Sequence, residues 1–377
     1  MAKSKKPFIC FISILLLIAV CLEIAYYNLP RHSIRYTELG IPLAERYPEG
    51  KRARCPSDMV LFEGRIYVGG GDYNDNMGPV DVWCYNVDGE SWENSGSVPD
   101  EEVSRFLCIG GELIIPGIDP RDDWAFGNYY KLVDGEWQTV RTIPNGVHNF
   151  DMVEYNGMLF AALGVNEGVS PVVCSSDDGE SFYPVEMKKN GDVVDTYSYD
   201  PIRVRELILF KDDLYAVFYY GDPEITYELY RYEEGCFVFL QNLEEKIKTK
   251  KLTTHMIEAE AEYGGRLYFT TGNLYYTEDM KDFQCVTMPD SEVVCDIYYD
   301  GRSLYLLCGK AVEDGRYKTS VWKCDKKKAD KVKEIFDFTY DVPPLSFVKD
   351  GYDFYIGMGA IGKPHEKNGT IIHVDTR

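Results

Sequence analysis

Short apolar segments alternate with tight turns along most of the chain. An apolar segment, a Gly or Asp turn and a second apolar segment recur seven times, from MVLFEGRIYVGGG to LSFVKDGYDFYIGMG. One residue marks each turn: Gly64, Gly111, Gly157, Asp213, Gly265, Gly301 and Gly351. Glycine adopts the positive φ of hairpin turns without steric cost. The pattern therefore predicts seven β-hairpins spread over the length of the chain.

Each predicted hairpin is followed by a variable loop, a third strand-like segment and usually a fourth. NYYKLVDGEWQTVRTI and YELYRYEEGCFVFL are two such pairs, each with a short turn in its middle. Four strands in a repeat of about 40 to 50 residues are typical of a β-propeller blade. The sequence therefore predicts an all-β fold, a seven-bladed β-propeller of four-stranded antiparallel blades over residues 55–377.

The seventh repeat has a third strand, GTIIHVDTR, and no fourth strand after it. The segment SIRYTELGIP, residues 33–42, precedes the first hairpin and is the one candidate for the missing strand. Pairing it into the last blade would close the ring and cover an exposed strand edge. We therefore interpret residues 28–54 as a linker that contains a ring-closing strand.

Residues 1–27 differ from the rest of the chain. Lys3, Lys5 and Lys6 precede the apolar run FICFISILLLIAVC, which continues through LEIAYY with only Glu23 to interrupt it. About 20 apolar residues are enough to span a bilayer as a helix, and basic residues in front of them favour a cytoplasmic N-terminus. We expect a hydrophobic anchor helix that displays the propeller outside the cytoplasm. An export signal that is removed by cleavage, giving a secreted protein, is the alternative.

Composition and charge exclude some partners and leave others open. With 45% hydrophobic and 14% aromatic residues, the chain can bury a core. Its formal net charge of −22 argues against nucleic acid or an anionic membrane surface, since both are bound by basic patches. An anionic ligand needs only a local cluster of arginines. The eleven cysteines include no Cys-x-x-Cys pair, so we expect small buried side chains rather than a metal site, and no cofactor.

One short polar run, SSDDGESF at residues 175–182, resembles the Asp-box or BNR repeat, the turn S-x-D-x-G-x-[ST]-[WF] of sialidases and many other propellers. NVDGESW and TEDMKDF keep parts of this pattern. The resemblance implies structural roles for Ser175, Asp177, Gly179 and Phe182. The aspartate would accept backbone N–H groups of its own turn, on the face opposite the ligand site. The chain thus resembles sialidase-like propellers without being assigned to one family.

A second resemblance concerns the first repeat alone. GRIYVGGGDYNDNMGPVDVWCYNVDGESWENSGSVP is similar to a kelch repeat, with its GGG, then Tyr85, Trp92 and a closing Pro99. The arginine-isoleucine-proline motif that sialidases carry near the N-terminus has no counterpart in the chain. The two resemblances together imply a propeller, and the missing motif speaks against sialidase hydrolysis.

Polar residues cluster in the loops between blades and between second and third strands, on the face opposite the Asp-box turn. We interpret four of them as catalytic candidates: His148, Asp151, His255 and Glu258. Seven others are candidates for substrate binding: Asp58, Asp72, Arg105, Asp119, Arg121, Trp124 and Arg203. Histidine exchanges protons near neutral pH, and aromatic rings beside arginines and carboxylates suit a sugar. The alternative for each residue is structural, as a loop cap, an ion pair or a hydrogen-bonded histidine.

Two kinds of function fit this arrangement. The first is an exported, membrane-anchored enzyme that acts on complex carbohydrate. It would be a glycoside hydrolase, or a polysaccharide lyase in which a base removes the proton beside a uronate carboxylate neutralised by arginine. The second is a non-catalytic propeller that binds a glycan or a protein at the cell surface. Loss of His148 would abolish turnover in the first case and only weaken binding in the second.

Overall fold

The structure, a computed structural model, covers most of the predicted propeller. It describes residues 34–121, 125–165, 170–175, 181–194, 202–220, 226–244, 246–247, 257 and 259–377. Residues Arg35–Arg377 form one compact unit. In the described residues we find thirty β-strands, three short 3₁₀ helices and no α-helix. No helix of this part of the chain is long and apolar enough to cross a membrane, and the predicted anchor at residues 1–27 lies outside the described residues.

The strands follow one another as antiparallel meanders, preceded by β1 (Thr37–Gly40). The first meander contains β2 (Asp58–Phe62), β3 (Arg65–Gly69), β4 (Val80–Asn86) and β5 (Ser91–Val98). The second contains β6 (Leu107–Ile109), β7 (Glu112–Pro116), β8 (Phe126–Val133) and β9 (Glu136–Pro144). The third contains β10 (His148–Tyr155), β11 (Met158–Val165), β12 (Val172–Ser175) and β13 (Phe182–Pro184). A small hairpin follows, β14 (Glu186–Lys189) and β15 (Asp192–Val193).

The second half of the chain continues in the same way. The fourth meander contains β16 (Ile202–Phe210), β17 (Asp213–Tyr220), β18 (Thr226–Glu233) and β19 (Cys236–Asn242). The fifth contains β20 (Ala259–Tyr263), β21 (Arg266–Thr270), β22 (Leu274–Thr277) and β23 (Phe283–Val286). The sixth contains β24 (Val293–Tyr299), β25 (Leu304–Ala311), β26 (Tyr317–Cys324) and β27 (Val332–Tyr340). The last contains β28 (Pro344–Asp350), β29 (Asp353–Met358) and β30 (Ile371–Asp375).

These meanders form an all-β propeller of four-stranded antiparallel blades. Five of them are separate four-stranded sheets. The third and fourth meanders share one ten-stranded sheet, because β11 pairs with β16 at Gly164 and Arg203. In that sheet β14 runs parallel to β19 and extends the outer edge of the fourth meander. Two of the seven predicted repeats thus lie within a single continuous sheet.

The predicted closure of the ring is confirmed. β1 pairs antiparallel with β30, with Thr37 opposite His373 and Glu38 opposite Ile372, and completes the last sheet in the order β1-β30-β29-β28. The carboxylate of Glu38 also accepts hydrogen bonds from the Tyr340 hydroxyl and the Lys367 ammonium, both at 2.9 Å. The first described strand therefore serves as the fourth strand of the last blade.

The apolar core lies between neighbouring sheets. Tyr268 and Leu274 of the fifth meander, for example, pack in one cluster with Leu306 and Trp322 of the sixth. Successive side chains of a strand point to opposite faces, and each face of a blade is covered by one of the two neighbouring blades. This explains why segments such as LYLLCG in β25 are apolar without interruption.

Candidate functional site

A cavity of about 760 Å³ lies where the first strands of all seven meanders converge. Each of these strands contributes to its wall, from Asp58 in β2 to Ser346 in β28. The contributing residues belong to the beginnings of the strands rather than to their hairpin turns. The cavity therefore lies at the end of the ring on which the sequence analysis placed the candidate residues.

Three consecutive positions, near the start of each first strand, are occupied by corresponding residues of the meanders. We name these three sets the upper, middle and lower ring, in order along the strand. The upper ring comprises cavity-lining residues: Ser57, Ser104, Phe150, Arg205, Cys295 and Leu345. The middle ring comprises the residues that follow: Asp58, Arg105, Asp151, Glu206, Ala259, Asp296 and Ser346. The lower ring comprises the next residues: Met59, Phe106, Met152, Leu207, Glu260, Ile297 and Phe347.

Three aspartates of the middle ring join neighbouring meanders. One carboxylate oxygen of Asp58 accepts the N–H of Met59 at 2.8 Å, and the other accepts the N–H of Phe106 in the next meander at 2.7 Å. Asp151 and Asp296 bond in the same way, at 2.7 to 3.0 Å. Burial raises the pKa of Asp58 to about 6, against the effect of these two backbone hydrogen bonds. The geometry gives these carboxylates a structural task, whatever else Asp58 and Asp151 do.

The second meander carries an arginine at the middle-ring position. The Nη1 atom of Arg105 lies 2.9 Å from Oδ1 of Asp151 in the third meander. Burial lowers the pKa of Arg105, but the carboxylates of Asp151 and Glu260 outweigh it and raise that pKa above its ordinary value. Arg105 lines the cavity and also helps to join the second and third meanders.

Arg205 of the upper ring is a buried cation on the cavity wall. Only 2% of the residue is exposed, and its guanidinium carbon lies 3.8 Å from the ring centre of Phe150 and 5.8 Å from that of Tyr219. Its Nε and Nη1 atoms are buried and have no hydrogen-bond partner among the described residues. Burial, and then the nearby Arg203, lower the pKa of Arg205. Stacking on the two aromatic rings holds Arg205 in place, while two of its nitrogens have no acceptor among the described residues.

Glu260 is the only charged residue of the lower ring. It lines the cavity, and no hydrogen bond or ion pair joins its carboxyl group to another described residue. Burial raises the pKa of Glu260 to about 7; Arg105 opposes this rise, and Asp151 and Glu206 add to it. The carboxyl group therefore exchanges its proton near neutral pH.

His148 lies beside the cavity rather than on its wall. Its Nδ1 donates a hydrogen bond to the carbonyl of Ile118 at 2.6 Å, and its ring stacks on Phe150 with 5.5 Å between the centres. Burial, aided by Arg203, lowers the pKa of His148 to about 4, against the effect of the hydrogen bond to Ile118. The imidazole is therefore neutral at pH 7, with the proton on Nδ1 directed to the backbone.

Asp72 lies in the loop after β3, away from the cavity wall. It accepts the backbone N–H of Asn74 at 3.2 Å and lies 3.9 Å from Nη1 of Arg52. Arg52, a residue of the cavity wall, pairs with Glu102 at 3.0 Å. Asp72 therefore caps a short 3₁₀ turn and reaches the cavity only through Arg52.

Arg121, Asp119 and Arg203 likewise lie off the cavity wall. The Nε atom of Arg121 is 3.3 Å from a carboxylate oxygen of Glu101. Burial raises the pKa of Asp119 to about 6, with Glu101 adding to the rise and Arg203 opposing it. The guanidinium of Arg203 lies 5.9 Å from the ring centre of Phe150. Arg203 therefore lies beside Phe150, and Arg121 pairs with Glu101, both off the cavity wall.

Five of the predicted residues lie outside the described residues: Trp124, Asp177, Gly179, His255 and Glu258. Among the described residues, no group of three or more His, Cys, Asp or Glu side chains could hold a metal ion. The nine cysteines in this part of the chain are free; five are buried, while Cys108 and Cys285 are exposed.

The turn between β22 and β23, TEDMKDF, forms hydrogen bonds with its own backbone. Oδ1 of Asp279 accepts the N–H groups of Lys281 and Asp282, both at 2.9 Å, and these bonds lower the pKa of Asp279. In the full copy, Ser175 accepts the N–H of Leu159 at 3.1 Å and Phe182 is buried in the core between the second and third meanders. The turn of Asp279 lies at the opposite end of its strands from the cavity.

The cavity wall includes residues that sequence analysis did not propose: Arg52, Glu102, Phe150, Lys310, Tyr317 and Glu260. Aligning the first five hairpins by their turns would have revealed one of them, since Glu260 then falls in a column with Met59, Phe106, Met152 and Ile208. Glu258, which was proposed, lies two residues earlier in the same segment. Of the others, Arg52 lies in a 3₁₀ helix, Glu102 in a loop and Phe150 at a bulge, while Lys310 and Tyr317 lie at strand ends.

Comparison with known proteins identifies the fold. No protein-family model and no curated protein matches the chain. The chain is similar to one in the crystal structure of the mitotic checkpoint complex, with 10% identity, a TM-score of 0.55 and coverage of 93% of this chain and 97% of that chain. It is also similar to puromycin hydrolase, with 12% identity, a TM-score of 0.51 and coverage of 88% and 53%. The propeller domain of the Trilobed protease from Pyrococcus furiosus matches with 8% identity, a TM-score of 0.47 and coverage of 93% and 97%. At these identities the first two matches establish the propeller fold alone.

Proposed function

We propose that this propeller binds an anionic carbohydrate, one that carries a carboxylate such as a uronic acid, in the cavity at the centre of the ring. The proposal rests on Arg205, a buried guanidinium on the cavity wall with two nitrogens that no described residue satisfies. A buried cation without partners is costly. A ligand carboxylate in the cavity would offset the charge of this cation and pair with its guanidinium.

The size and lining of the cavity support a ligand of one or two sugar rings. Its volume of about 760 Å³ falls within the range of about 300 to 1,000 Å³ that is usual for small-molecule sites. Phe106 and Phe150 provide aromatic surface, and Ser57 and Ser104 provide hydroxyl groups. Aromatic faces together with a few polar groups suit a sugar, which has both apolar C–H faces and hydroxyl edges.

A binding role is favoured over catalysis by the geometry of the described candidates. His148 lies off the cavity wall with a lowered pKa, and Asp151 is held by Arg105 and by two backbone amides. Turnover of the same carbohydrate, by hydrolysis or elimination, is the second candidate. It would depend on His255 and Glu258, which lie outside the described residues.

Titration calorimetry with galacturonate oligomers, and with the same oligomers reduced to neutral sugars, tests the binding proposal. The wild type should prefer the acidic oligomers. Arg205→Met keeps the packing on Phe150 and should lose about 1.5–3 kcal/mol of binding, the contribution of a charged hydrogen bond. Arg65→Met, at a half-exposed position near a hairpin turn, is the control and should bind like the wild type. Equal affinity for both sugars, or unchanged binding by Arg205→Met, would refute the proposal; chromatography of the same samples reports any turnover.

We also propose three finer features of the protein. The ring would have seven blades, if the third and fourth meanders count as two blades within the ten-stranded sheet. It would belong with the Asp-box propellers, which the turn at Asp279 supports. Residues 1–27 would anchor it outside the cytoplasm, as their basic and apolar order suggests. An experimental structure decides the first two, and protease accessibility of the domain on intact cells decides the third.

A further inference from the structure

The lower ring is apolar at six of its seven positions. These six residues are all buried: Met59, Phe106, Met152, Leu207, Ile297 and Phe347. Glu260 occupies the seventh position, in β20. A carboxyl group where the repeat otherwise places a hydrophobic side chain costs stability. Such conflicts between a local residue and the pattern around it occur mainly at functional sites.

The surroundings of Glu260 are charged on several sides. Arg105, Asp151 and Glu206 act on it from the second, third and fourth meanders. The cavity wall holds six further charged residues: Arg52, Asp58, Glu102, Arg205, Asp296 and Lys310. Arg105 is paired with Asp151, and Asp58 and Asp296 accept backbone amides. Glu260 itself has no hydrogen bond or ion pair with a described residue, so its carboxyl group is available to a molecule in the cavity.

We propose that Glu260 in its protonated form donates a hydrogen bond to an acceptor oxygen of the ligand, so that ligand binding is coupled to the uptake of a proton. This inference rests on the proposed function, because both residues would serve the same molecule. Arg205, in the upper ring, would bind the carboxylate of the ligand. Glu260, in the lower ring, would contact an acceptor oxygen of the same ligand. The proton comes from solvent and remains on the Glu260 carboxyl group, and no covalent bond of the ligand changes.

Two physical effects favour this coupling. A carboxylic acid can donate a hydrogen bond only while it is protonated. An anionic ligand also adds negative charge beside Asp151 and Glu206, and this disfavours the ionised form of Glu260. Because burial already raises the pKa of Glu260 to about 7, a modest further rise on binding makes the carboxyl group take up a proton at pH 7.5.

Calorimetry of digalacturonate binding to the full chain at pH 7.5, in phosphate and in Tris buffer, counts the protons taken up. The enthalpies of protonation of the two buffers differ, so a difference in the observed heat reports the coupling. About three-quarters of the Glu260 carboxyl groups are ionised at pH 7.5 in the free protein. The wild type should therefore take up at most about three-quarters of a proton per ligand, and its affinity should fall as pH rises above 7.5. Glu260→Gln, whose amide donates at any pH, should bind with no proton uptake and little pH dependence. Glu262→Gln, at an exposed position of the same strand, should behave like the wild type.

The outcomes separate this inference from the proposed function. Equal proton uptake by the wild type and by Glu260→Gln overturns the role of Glu260 and leaves carbohydrate binding in place. Absence of digalacturonate binding by the wild type overturns both. Glu260→Leu restores the hydrophobic residue of the other meanders and should fold. Glu260→Leu should bind the ligand more weakly than Glu260→Gln, because leucine has no hydrogen-bond donor although it keeps the shape of the wall.

Discussion

Replacing Glu260 by methionine should stabilise the protein at pH 8 and change little at pH 5. Methionine is the residue that the first and third meanders carry at this position of the lower ring, as Met59 and Met152. Both are buried in the core, so this fold already accommodates methionine side chains at the same position of two other meanders. The effect should arise because the substitution removes a carboxyl group that ionises at a cost.

The size of this effect follows from the pKa of Glu260, which rises from 4.5 to about 7 on folding. Since the folded protein holds the proton more tightly than the unfolded chain, ionisation destabilises the fold as pH rises from 4.5 through 7. The penalty is complete above pH 7, where a shift of two and a half units corresponds to about 3 kcal/mol. At pH 5 the folded form keeps its proton, and the penalty is below about 1 kcal/mol.

Urea unfolding followed by tryptophan fluorescence, at pH 5 and at pH 8, measures both values. Glu260→Met should exceed the wild type in unfolding free energy by about 3 kcal/mol at pH 8, with a much smaller difference at pH 5. The matched control is Glu262→Gln, which lies two residues further along β20 and is exposed. A variant less stable than the wild type at pH 8, or a difference that does not depend on pH, would contradict the reasoning.

Two further predictions concern the turns and the ring closure. Asp279→Ala should lower the unfolding free energy by about 1 kcal/mol, since the carboxylate accepts hydrogen bonds from two backbone amides of its exposed turn. Asp282→Ala, in the same turn, is the control. Equal urea midpoints for the two variants would contradict the Asp-box interpretation. A chain that begins at residue 43 lacks β1 and leaves the edge of β30 unpaired, so it should aggregate on gel filtration. A chain that begins at residue 34 keeps β1 and should remain monodisperse, whereas equal behaviour of both would argue against closure by β1.

The repeat pattern predicted the fold because hairpin turns are local. Glycines with positive φ mark them directly, as at Gly64 and Gly157. The closing strand could be predicted as well, since one blade lacked a strand and one segment was left over. The hydrogen bonds of the turn at Asp279 are also local, since they join residues only two or three positions apart. What local sequence determines, sequence analysis recovered.

The candidate site was recovered only in part. Asp58 and Arg105 line the cavity, but their partners lie in neighbouring meanders, which sequence alone does not align. The upper-ring residues Phe150 and Arg205 lie at irregularities of strand pairing, between Asn149 and Asp151 and between Val204 and Glu206. Such β-bulges redirect a side chain without leaving a recognisable sequence pattern. The direction of these side chains therefore had to come from the structure.

The pairing of β1 with β30 also has a consequence for biosynthesis. The contact between Glu38 and Lys367 joins residues that are 329 positions apart, so β1 leaves the ribosome long before the strand with which it pairs. Contacts of such long range form slowly, and an unpaired strand edge invites association with other chains. β1 is short, with the sequence TELG, and its charged residue makes it a poor template for a foreign strand. The nascent chain can thus keep β1 free until β30 has been synthesised.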